Sequence, residues 1–511
     1  MFYIAKFLNQ LQITIEGSDV TKSVRTIELE KLNIKIAYQN PTRLTKAYDL
    51  ILYSDSLPDN VLSFIKKQNK NLTFMEIGIF KNTLIQMFED KRLTPLETNA
   101  FVSSNLAPLY SLNLDEMRLI GVTGTDGKTT VISMIYHILS KLDQRVGMIT
   151  TVGAKIDNQA IDTGFHVTTP SSQDIYKLLT LMKSKGCKFV LIECTSQGLF
   201  MGRLAGLKFD VGVFTNIKKE HLGYHKTWKN YAQAKSLLIT KHLKPKGTTV
   251  MNADDLKGYN YIKNIASKKL IYATNNKIAT HYLATDIRES NKGNLFKVGH
   301  NTYNLSILGR FNVSNALASA CALIPFNISI HKSLVSLSDF LPVLGRMNIL
   351  QEAPFTIIVD FAHTPNGLKN VLRTAVKLKS IDSKLILVFG CAAKRDEYKR
   401  PIMGKWAKKY ADITILTAED CRFENLRDIN DQIAKGWKAF KLSKARHLYR
   451  FDDPSKNILV RKQAIEKALK LAKKGDVILI TGKGHENSLC FGEIEYPWND
   501  IEETMKLVKY A

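Results

Sequence analysis

A glycine-rich loop between a predicted strand and a predicted helix is the feature that most limits how this chain can fold. The loop is "GVTGTDGKTT", residues 121–130, and it follows the apolar run "MRLI". Apolar residues then recur at helical spacing: Val131, Met134, Ile135, Ile138 and Leu142. In that order, strand, loop and helix direct backbone N–H groups at a phosphate group. The pattern predicts an α/β fold with a nucleotide phosphate at the helix N-terminus.

The spacing of this loop differs from the general P-loop, because Val122 stands where G-x-x-x-x-G-K-[ST] requires its first glycine. Lys128 supplies a charge for the β- and γ-phosphates, and the Thr129 hydroxyl suits Mg²⁺. The plainer alternative is a glycine turn at the surface, but the flanking strand and helix favour phosphate binding. The predicted ATP-binding residues of the loop are Gly124, Thr125, Asp126, Gly127, Lys128, Thr129 and Thr130.

The length of 511 residues exceeds what one ordinary core can hold, and it predicts three domains. A polar connection with prolines ends near residue 112, and a new series of alternating strands and helices begins near residue 346. We therefore expect domains over 1–112, 113–345 and 346–511. In each of them short β-branched runs alternate with helix-like segments, which is typical of parallel sheets.

Composition excludes several classes of function. The chain is 45% hydrophobic and has no apolar run of about 18 residues, so we expect no membrane span. Its six cysteines form no C-x-x-C pair, which argues against a disulfide framework or a zinc site. The apolar N-terminus lacks the basic region and cleavage site of a secretion signal. A cytoplasmic monomer is expected.

The net charge of +26 is compatible with nucleic acid, anionic lipid or an acidic substrate. The lysines come in short bursts, without a basic tail or an aromatic RNA-binding motif. We therefore predict small-molecule substrates and no nucleic-acid partner.

Motifs beyond the loop resemble those of the Mur ligases, the ATP-dependent enzymes that add amino acids to UDP-N-acetylmuramate. The loop matches their G-T-x-G-K-[ST]-[ST] pattern, and the further motifs follow in the family's order between residues 118 and 490. Among the Mur ligases they resemble the enzymes that add the third residue, the MurE type. The motifs are "HVTTPSSQDIYKLL", "LIECTSQGL", "FTNIKKEHLGYHKTWKNYAQAKSLL", "VMNADD", "LGRFNVSNALA", "GRMNIL", "VDFAHTPNGLKNVL", "VFGCAAKRDEYKRPIMGKWA" and "ITGKGHE".

The resemblance implies a reaction in which a substrate carboxylate attacks the γ-phosphate of ATP. An incoming amine then displaces phosphate from the acyl phosphate and forms an amide. Positioning and charge neutralisation dominate such phosphoryl transfer, so ATP and Mg²⁺ are the implied cofactors. The implied substrates are UDP-N-acetylmuramoyl-L-Ala-D-Glu and meso-diaminopimelate. Other steps stay open, namely muramate–alanine, peptide-recycling or folylpolyglutamate ligation, as does a non-catalytic nucleotide-binding scaffold.

The resemblance also implies the catalytic and metal-binding residues. Glu193 and His221 match metal ligands of the family, and Lys235 matches a lysine that carries a carbamate and so can hold a second Mg²⁺. Without the family pattern these would be a strand-end acid, a loop histidine and a lysine on a solvated helix face. The implied catalytic set is Lys128, Glu193, His221 and Lys235, and the implied metal set is Thr129, Glu193, His221 and Lys235.

For the nucleotide, Asn312 matches a residue that contacts the base, with a helix cap as its alternative. Arg346 and Asp360 match groups that close on phosphate and ribose from the third domain. Residues from two domains imply closure over ATP.

For the muramoyl peptide, Thr168 and Thr169 match a substrate-binding pair, and Arg203 matches an arginine that faces a carboxylate. Thr195 stands for the family's serine and keeps the hydroxyl. Met201 replaces a glutamine and loses a hydrogen-bonding amide.

For the incoming amino acid, "EDCR" aligns with D-N-P-R, and Arg422 can grip the distal carboxylate of diaminopimelate with two hydrogen bonds. Asp420 and Cys421 replace Asn and Pro. The alternative for Arg422 is a surface ion pair. Diaminopimelate is favoured over lysine. The remaining implied pocket residues are Arg395, Gly482 and Glu486.

The first domain resembles the Rossmann-like N-terminal domain of the alanine-adding and recycling Mur ligases. Its usual first strand and G-x-G-G-x-G loop are absent before a helix predicted over residues 1–10. Asp19 is either an acid for a ribose hydroxyl or a turn residue. Either the true start lies upstream of Met1, or the chain holds its UDP group without the glycine loop. We expect the first, a truncated domain.

Overall fold

A computed structural model describes residues 112–157, 159–161, 168–275, 280–393 and 395–509, and the backbone of four short strands before them. The helix predicted over residues 1–10 and the side chain of Asp19 lie outside the described residues. The chain divides into two compact units. One is Met1–Glu116 with Pro170–Leu181 and Phe200–Leu207, and the other is Met117–Thr169 with Met182–Leu199 and Lys208–Ala511.

The four N-terminal strands form two parallel pairs, β1 with β2 and β3 with β4. They fall within the β-branched runs that predicted them, and their parallel pairing agrees with the predicted α/β alternation. The strands are β1 (Glu16–Asp19), β2 (Lys35–Tyr38), β3 (Leu50–Tyr53) and β4 (Thr73–Glu76).

An eleven-stranded sheet carries the glycine-rich loop, in the order β15-β14-β13-β12-β11-β10-β5-β9-β6-β7-β8. Its central strands are parallel, while both edges are antiparallel hairpins. The strands are β5 (Arg118–Thr123), β6 (Val146–Thr150), β7 (Gly153–Ile156), β8 (Gln159–Ile161), β9 (Phe189–Glu193), β10 (Phe209–Phe214), β11 (Leu243–Asn252), β12 (Lys268–Ala273), β13 (Tyr282–Ser290), β14 (Gly293–Val298) and β15 (Asn301–Leu305). The α-helices of this region are α1 (Lys128–Lys141), α2 (Ser172–Ser184), α3 (Ser196–Phe200), α4 (Leu222–His225), α5 (Trp228–Thr240), α6 (Leu256–Ile262), α7 (Phe311–Leu323) and α8 (Ile330–Ser336).

The register of the three central strands explains why polar residues meet at one sheet edge. Strand β5 lies between β9 and β10, and Val122 pairs with Glu193 while Thr123 pairs with Phe214. Since all three strands are parallel, the segments that follow them leave the sheet side by side. The apolar face of α1 covers the sheet, and Val131, Met134, Ile135 and Ile138 are fully buried as the helical spacing predicts.

A six-stranded sheet follows, in the order β16-β17-β21-β18-β19-β20, parallel except where β16 pairs with β17. Alternate strand residues enter two separate apolar cores, Leu387 and Leu479 in one and Val388 and Ile480 in the other. Helices therefore cover both faces, as in a doubly wound fold. The elements are β16 (Asn348–Gln351), β17 (Thr356–Asp360), α9 (Pro365–Leu378), β18 (Leu385–Phe389), α10 (Lys399–Tyr410), β19 (Ile413–Leu416), α11 (Leu426–Ala439), β20 (His447–Arg450), α12 (Leu459–Leu471), β21 (Val477–Thr481), the hairpin β22 (Ser488–Phe491) and β23 (Ile494–Pro497), and α13 (Asp500–Lys509).

Among the described residues, no helix has both the length and the apolar character needed to cross a bilayer.

Candidate active site

The glycines of the loop are required by its geometry. Gly124 has φ of 154° and Gly127 has φ of 88°. A Cβ on Gly124 would lie 1.8 Å from Thr215 Oγ1, and one on Gly127 would lie 2.6 Å from Asn315 Oδ1. Only glycine therefore lets the chain turn from β5 into α1, whose first residue is Lys128.

The loop backbone is anchored to the segment that follows β10. Thr125 N donates to Asn216 O at 2.9 Å, and Asp126 N donates to Asn216 Oδ1 at 3.1 Å. Thr215 Oγ1 donates to Asp126 O at 2.6 Å. The hydrogen bonds that the loop backbone makes with Asn216 and Thr215 therefore hold the loop in shape. The N–H groups at the start of α1 remain available for an anion.

Glu193, at the end of β9, lies beside the loop and is only 2% exposed. Its Oε2 accepts hydrogen bonds from Thr129 Oγ1 at 3.0 Å and from Thr151 N and Oγ1 at 3.1 Å each. Lys128 Nζ lies 3.8 Å from its other oxygen. The structure therefore brings Lys128, Thr129 and Glu193 together, and the alternative of a surface acid for Glu193 is wrong.

Lys235 on α5 is also 2% exposed, so it does not lie on a solvated helix face. Its Nζ donates to Gly124 O at 2.7 Å and lies 4.7 Å from the centre of the Tyr231 ring. Burial, together with the charge of Lys128, lowers the pKa of Lys235 well below its ordinary value. The shift favours the neutral amine, which is the form that can react with carbon dioxide to give a carbamate.

His221 precedes α4 with φ of 56°, and burial lowers its pKa to about 3. Its imidazole is therefore neutral at pH 7, the form that binds metals. Among the described residues, no three or more His, Cys, Asp or Glu side chains are grouped so that they could hold a metal ion. The Thr129 and Glu193 oxygens, 3.0 Å apart, are nevertheless hard donors of the kind that suits Mg²⁺.

Three threonines predicted to bind substrate lie around the end of β9. Thr169 Oγ1 donates to Glu193 O at 2.8 Å and lies 2.9 Å from Thr195 Oγ1. Thr168 Oγ1 accepts from Thr151 Oγ1 at 3.0 Å. Their hydroxyls thus form one group beside Glu193.

Arg203 belongs to the other compact unit. There its Nη2 lies 3.6 Å from Sδ of Met201. The sulfur of Met201 therefore lies next to the guanidinium.

Asn312, predicted to contact the base, lies inside α7 and is not its cap. Its Nδ2 donates to Leu308 O at 2.7 Å, and its Oδ1 accepts from Asn315 Nδ2 at 2.9 Å. These bonds hold the buried side chains of Asn312 and Asn315 together. The Asn315 amide in turn lies against Gly127, because a Cβ on that glycine would meet it.

Asp360 ends β17 and accepts from the backbone N–H groups of Met347 at 2.8 Å and Ala362 at 2.7 Å. Burial raises the pKa of Asp360 to about 6, opposed by the nearby charge of Arg346. The Arg346 guanidinium lies 4.3 Å from the centre of the Phe361 ring. Arg346 and Asp360 thus lie near each other.

The predicted amino-acid pocket is built on a strained loop. Asp420 and Arg422 have φ of 35° and 47°, which non-glycine residues rarely adopt. Arg422 N donates to Cys490 O at 3.2 Å, and Asp420 Oδ1 accepts from Cys490 N at 3.0 Å. The side chain of Arg422 is 48% exposed, with Nη2 3.4 Å from Glu495 Oε1.

Lys483 lies among the residues predicted for the amino-acid pocket, although sequence reasoning did not single it out. It is 1% exposed, and its Nζ lies 2.8 Å from Asp420 Oδ1 and 2.5 Å from Glu486 Oε2. Burial raises the pKa of Glu486, whereas the charges of Lys483 and of exposed Arg395 act to lower it. The Lys483 ammonium therefore bridges Asp420 and Glu486, two acids predicted for the pocket. The sequence signal that could have identified Lys483 is its position inside the motif "GKGHE".

Gly482 completes the pocket and has φ of 115°. A Cβ there would lie 2.8 Å from Glu419 Oε2. The backbone of Gly482 therefore passes so close to Glu419 that any side chain there would clash, and only glycine fits.

Contacts between the two sheet regions were also missed. Lys399 Nζ donates to Glu220 Oε1 at 3.3 Å, and Asp396 Oδ1 accepts from Gly223 N at 2.8 Å. Asp126 contacts the start of α9. The sequence separations are over 170 residues, so no local pattern could have revealed these pairs.

Two family models match the chain. The Mur ligase middle domain covers residues 122–323, and the Mur ligase glutamate ligase domain covers residues 345–484. Among curated proteins, the chain is 35% identical over 397 residues to the UDP-N-acetylmuramoyl-L-alanyl-D-glutamate–2,6-diaminopimelate ligase of Bacteroides fragilis, covering 77% of this chain and 78% of that protein. The ligase of the same name from Clostridium tetani is 32% identical over 499 residues, covering 95% and 94%.

Solved structures show the same fold. A structure of UDP-N-acetylmuramoyl-L-alanyl-D-glutamate–2,6-diaminopimelate ligase matches with a TM-score of 0.55 and 26% identity, over 92% of this chain and 93% of that one. A pseudomurein peptide ligase type C from Methanothermus fervidus matches with a TM-score of 0.58 and 19% identity, over 99% and 96%. With the glycine loop, its buried glutamate and the two matching domains, this chain belongs to the Mur ligase family.

Proposed function

We propose that the protein is the ATP-dependent ligase that adds meso-diaminopimelate to UDP-N-acetylmuramoyl-L-alanyl-D-glutamate during peptidoglycan precursor synthesis in the cytoplasm. The observation that carries the proposal is the grouping of Lys128, Thr129 and Glu193 at one sheet edge. This grouping occurs in a chain 35% identical, over most of its length, to ligases that bear this name.

The loop N–H groups and Lys128 would hold the β- and γ-phosphates of ATP. Thr129, Glu193, His221 and carbamylated Lys235 would hold Mg²⁺, which supplies charge neutralisation when bound. Burial of the Lys235 amine and its lowered pKa support carbamylation, because both favour the neutral amine that reacts with carbon dioxide. Asn312 would contact the base, while Arg346 and Asp360 would contact phosphate and ribose.

The threonine group Thr168, Thr169 and Thr195 would position the muramoyl peptide beside the γ-phosphate, with Arg203 facing a carboxylate. The substrate carboxylate would attack the γ-phosphate, breaking the bond to the β-phosphate and releasing ADP as the acyl phosphate forms. The amine of the amino acid would then attack the acyl carbon, form the amide and release phosphate and a proton. Arg422 would grip the distal carboxylate of diaminopimelate. The other residues proposed for that pocket are Arg395, Asp420, Gly482 and Glu486.

We assign these roles to three domains, 1–112 for the UDP substrate, 113–345 for ATP and 346–511 for the amino acid, in a monomer. A phosphate-release assay tests the function. UDP-muramoyl acceptors of different peptide length are each combined with diaminopimelate, lysine, alanine and glutamate, with ATP and Mg²⁺. We expect turnover for the dipeptide acceptor with diaminopimelate. Faster turnover with another pair would replace the proposed substrates, and no turnover with any pair would reject ligation.

A further inference from the structure

The side chain of Asp126 contacts the region of the six-stranded sheet. Its Oδ1 accepts from Thr364 Oγ1 at 2.9 Å, and its Oδ2 accepts from Asn366 Nδ2 at 2.7 Å. Both carboxylate oxygens are therefore engaged by donors more than 230 residues away in the sequence.

The donors sit at the N-terminus of α9, a helix of 14 residues. Thr364 is its N-cap, and its Oγ1 accepts from Gly367 N at 2.9 Å while donating to Asp126. Asn366 is in the first turn. A carboxylate at this place also interacts favourably with the positive end of the helix dipole.

The loop does not need this carboxylate to keep its shape. The backbone N–H and C=O of Asp126 are bonded to Asn216 and Thr215, and Thr125 N is bonded to Asn216 O. The side chain can therefore be changed while the phosphate-binding backbone stays anchored.

The N-terminus of α9 is linked directly to the groups proposed to close on the nucleotide. Asp360 ends β17 four residues before Thr364, and its Oδ2 accepts from Met347 N, next to Arg346. Fixing α9 against the loop therefore also fixes where Arg346 and Asp360 stand relative to the phosphates.

We propose that Asp126 is a positioning residue that couples the C-terminal domain to the ATP loop through the N-terminus of α9. The sequence-based prediction placed Asp126 among the nucleotide contacts. In this proposal the backbone of Asp126 anchors the phosphate-binding loop, and its side chain makes the contact with α9. The effect on turnover rests on the proposed function, whereas the contact itself does not.

The hydrogen-bond chemistry of the pair provides a reciprocal test. A carboxylate only accepts, and it faces two donors, the Thr364 hydroxyl and the Asn366 amide. In Asp126→Asn the acceptor loses its charge, and the Asn366 amide must turn over before it can accept a hydrogen bond from the new NH₂ group. In Asn366→Asp two carboxylates face each other at hydrogen-bond distance and repel. With both changes, an amide on the loop again donates to a carboxylate on α9.

The experiment measures kcat and KM for ATP by phosphate release in the full-length chain. We expect Asp126→Asn to lower kcat/KM about tenfold, the loss typical of one hydrogen bond to a charged group. Asn366→Asp should lower it further, and the double variant should return to within about threefold of the parent. Asp382→Asn, at an exposed turn of the same domain, removes a charge as a control and should change nothing.

A distance measurement separates failure of this proposal from failure of the proposed function. All six cysteines are buried, so spin labels can be placed at Leu256→Cys and Ile381→Cys, which are 58% and 97% exposed in the two sheet regions. With ATP and Mg²⁺, the parent and the double variant should share one narrow distance distribution, and each single variant should broaden it.

Two results would overturn the coupling role. One is a double variant no better than Asp126→Asn, which would mean that the carboxylate acts on the nucleotide. The other is an unchanged distance distribution in both single variants. If no substrate pair gives turnover, the distances still decide the role of Asp126.

Discussion

Two loops differ in how the fold holds their charged groups. One is the glycine-rich loop at residues 121–130, the proposed ATP loop, and the other is the loop at residues 417–425, the Arg422 loop. Around the ATP loop, Glu193 and Lys235 are almost fully buried and engaged by direct hydrogen bonds. In the other loop, Arg422 is half exposed on a strained backbone, and its ion-pair partner Glu495 is half exposed too. Under the proposed function, phosphoryl transfer would depend on rigid placement of charge, whereas recognition of the amino acid would leave more room for substitution.

The difference suggests that the chemistry of this protein is fixed in the buried region and its choice of amino acid in the exposed one. Removing a group from the ATP loop should then abolish turnover with every substrate. Removing a group from the Arg422 loop should change which amino acid is used.

Lys128→Ala should have the largest effect and would sharpen this contrast. The variant loses the Lys128 charge at the start of α1, which is proposed to bind the phosphates, and such a charge is typically worth a factor of about 10³ in rate. Phosphate release should fall by that factor with every amino acid tested. Lys141→Ala, at the exposed end of the same helix, is the control and should keep full turnover. Equal turnover in the two variants would remove Lys128 from the ATP site.

Arg422→Ala should act on one substrate only. A hydrogen-bonded charge pair is worth about 1.5–3 kcal/mol, so KM for diaminopimelate should rise about 10- to 100-fold. KM for ATP should stay constant, because the ATP loop is built separately. Arg427→Ala, in the next helix and exposed, serves as the control. An equal rise in KM for ATP would contradict the division between the two regions.

The sequence was sufficient to predict much of the first region because its signals are local. A strand, two obligatory glycines and an amphipathic helix predicted the loop and α1, and the family motif predicted Glu193 and Lys235 as its neighbours. Their burial was not predictable from residue type, since a lysine on a helix usually faces water. It follows from the place of α5 against β5 and from the contact with Gly124.

The second region was harder to predict because its geometry depends on distant segments. Asp420 is held by Lys483 and by the backbone of Cys490, and Arg422 meets Glu495 on the hairpin of β22 and β23. Those partners come from 63 to 73 residues downstream, where no periodicity points back to the loop. The same reason hid the contact of Asp126 with α9.

Glu419→Gln probes a difference between buried carboxylates in the two regions. Glu193 accepts several hydrogen bonds, but Glu419 Oε2 is buried without a partner, and burial raises the pKa of Glu419 from 4.5 to about 7. Between pH 4.5 and 7 the unfolded chain therefore releases a proton that the folded chain keeps. Stability supplied by this group is present below pH 4.5 and lost as pH rises through 7, by about 3 kcal/mol.

Urea unfolding at pH 5 and pH 8 measures this effect. The parent should lose more unfolding free energy over that interval than Glu419→Gln, which cannot ionise. Glu352→Gln, near the start of the same sheet and exposed, is the matched control. An identical pH dependence in the parent and Glu419→Gln would show that Glu419 finds a hydrogen-bond partner.

Glu495→Gln should have the smallest effect, and it tests whether the exposed loop is tuned by its own ion pair. The pair with Arg422 is half exposed at 3.4 Å, and such pairs are worth about 0–1 kcal/mol. A distal substrate carboxylate that binds Arg422 must displace Glu495, so the variant should lower KM for diaminopimelate by at most about fivefold without changing kcat. Glu493→Gln, on the same hairpin, removes an equal charge without a bond to Arg422. The gain should shrink at high salt and vanish in the Arg422→Ala background, because the competition needs the guanidinium. A higher KM would instead mean that Glu495 binds the substrate's distal ammonium group, and the acidic side of the loop would then select the amino acid together with Arg422.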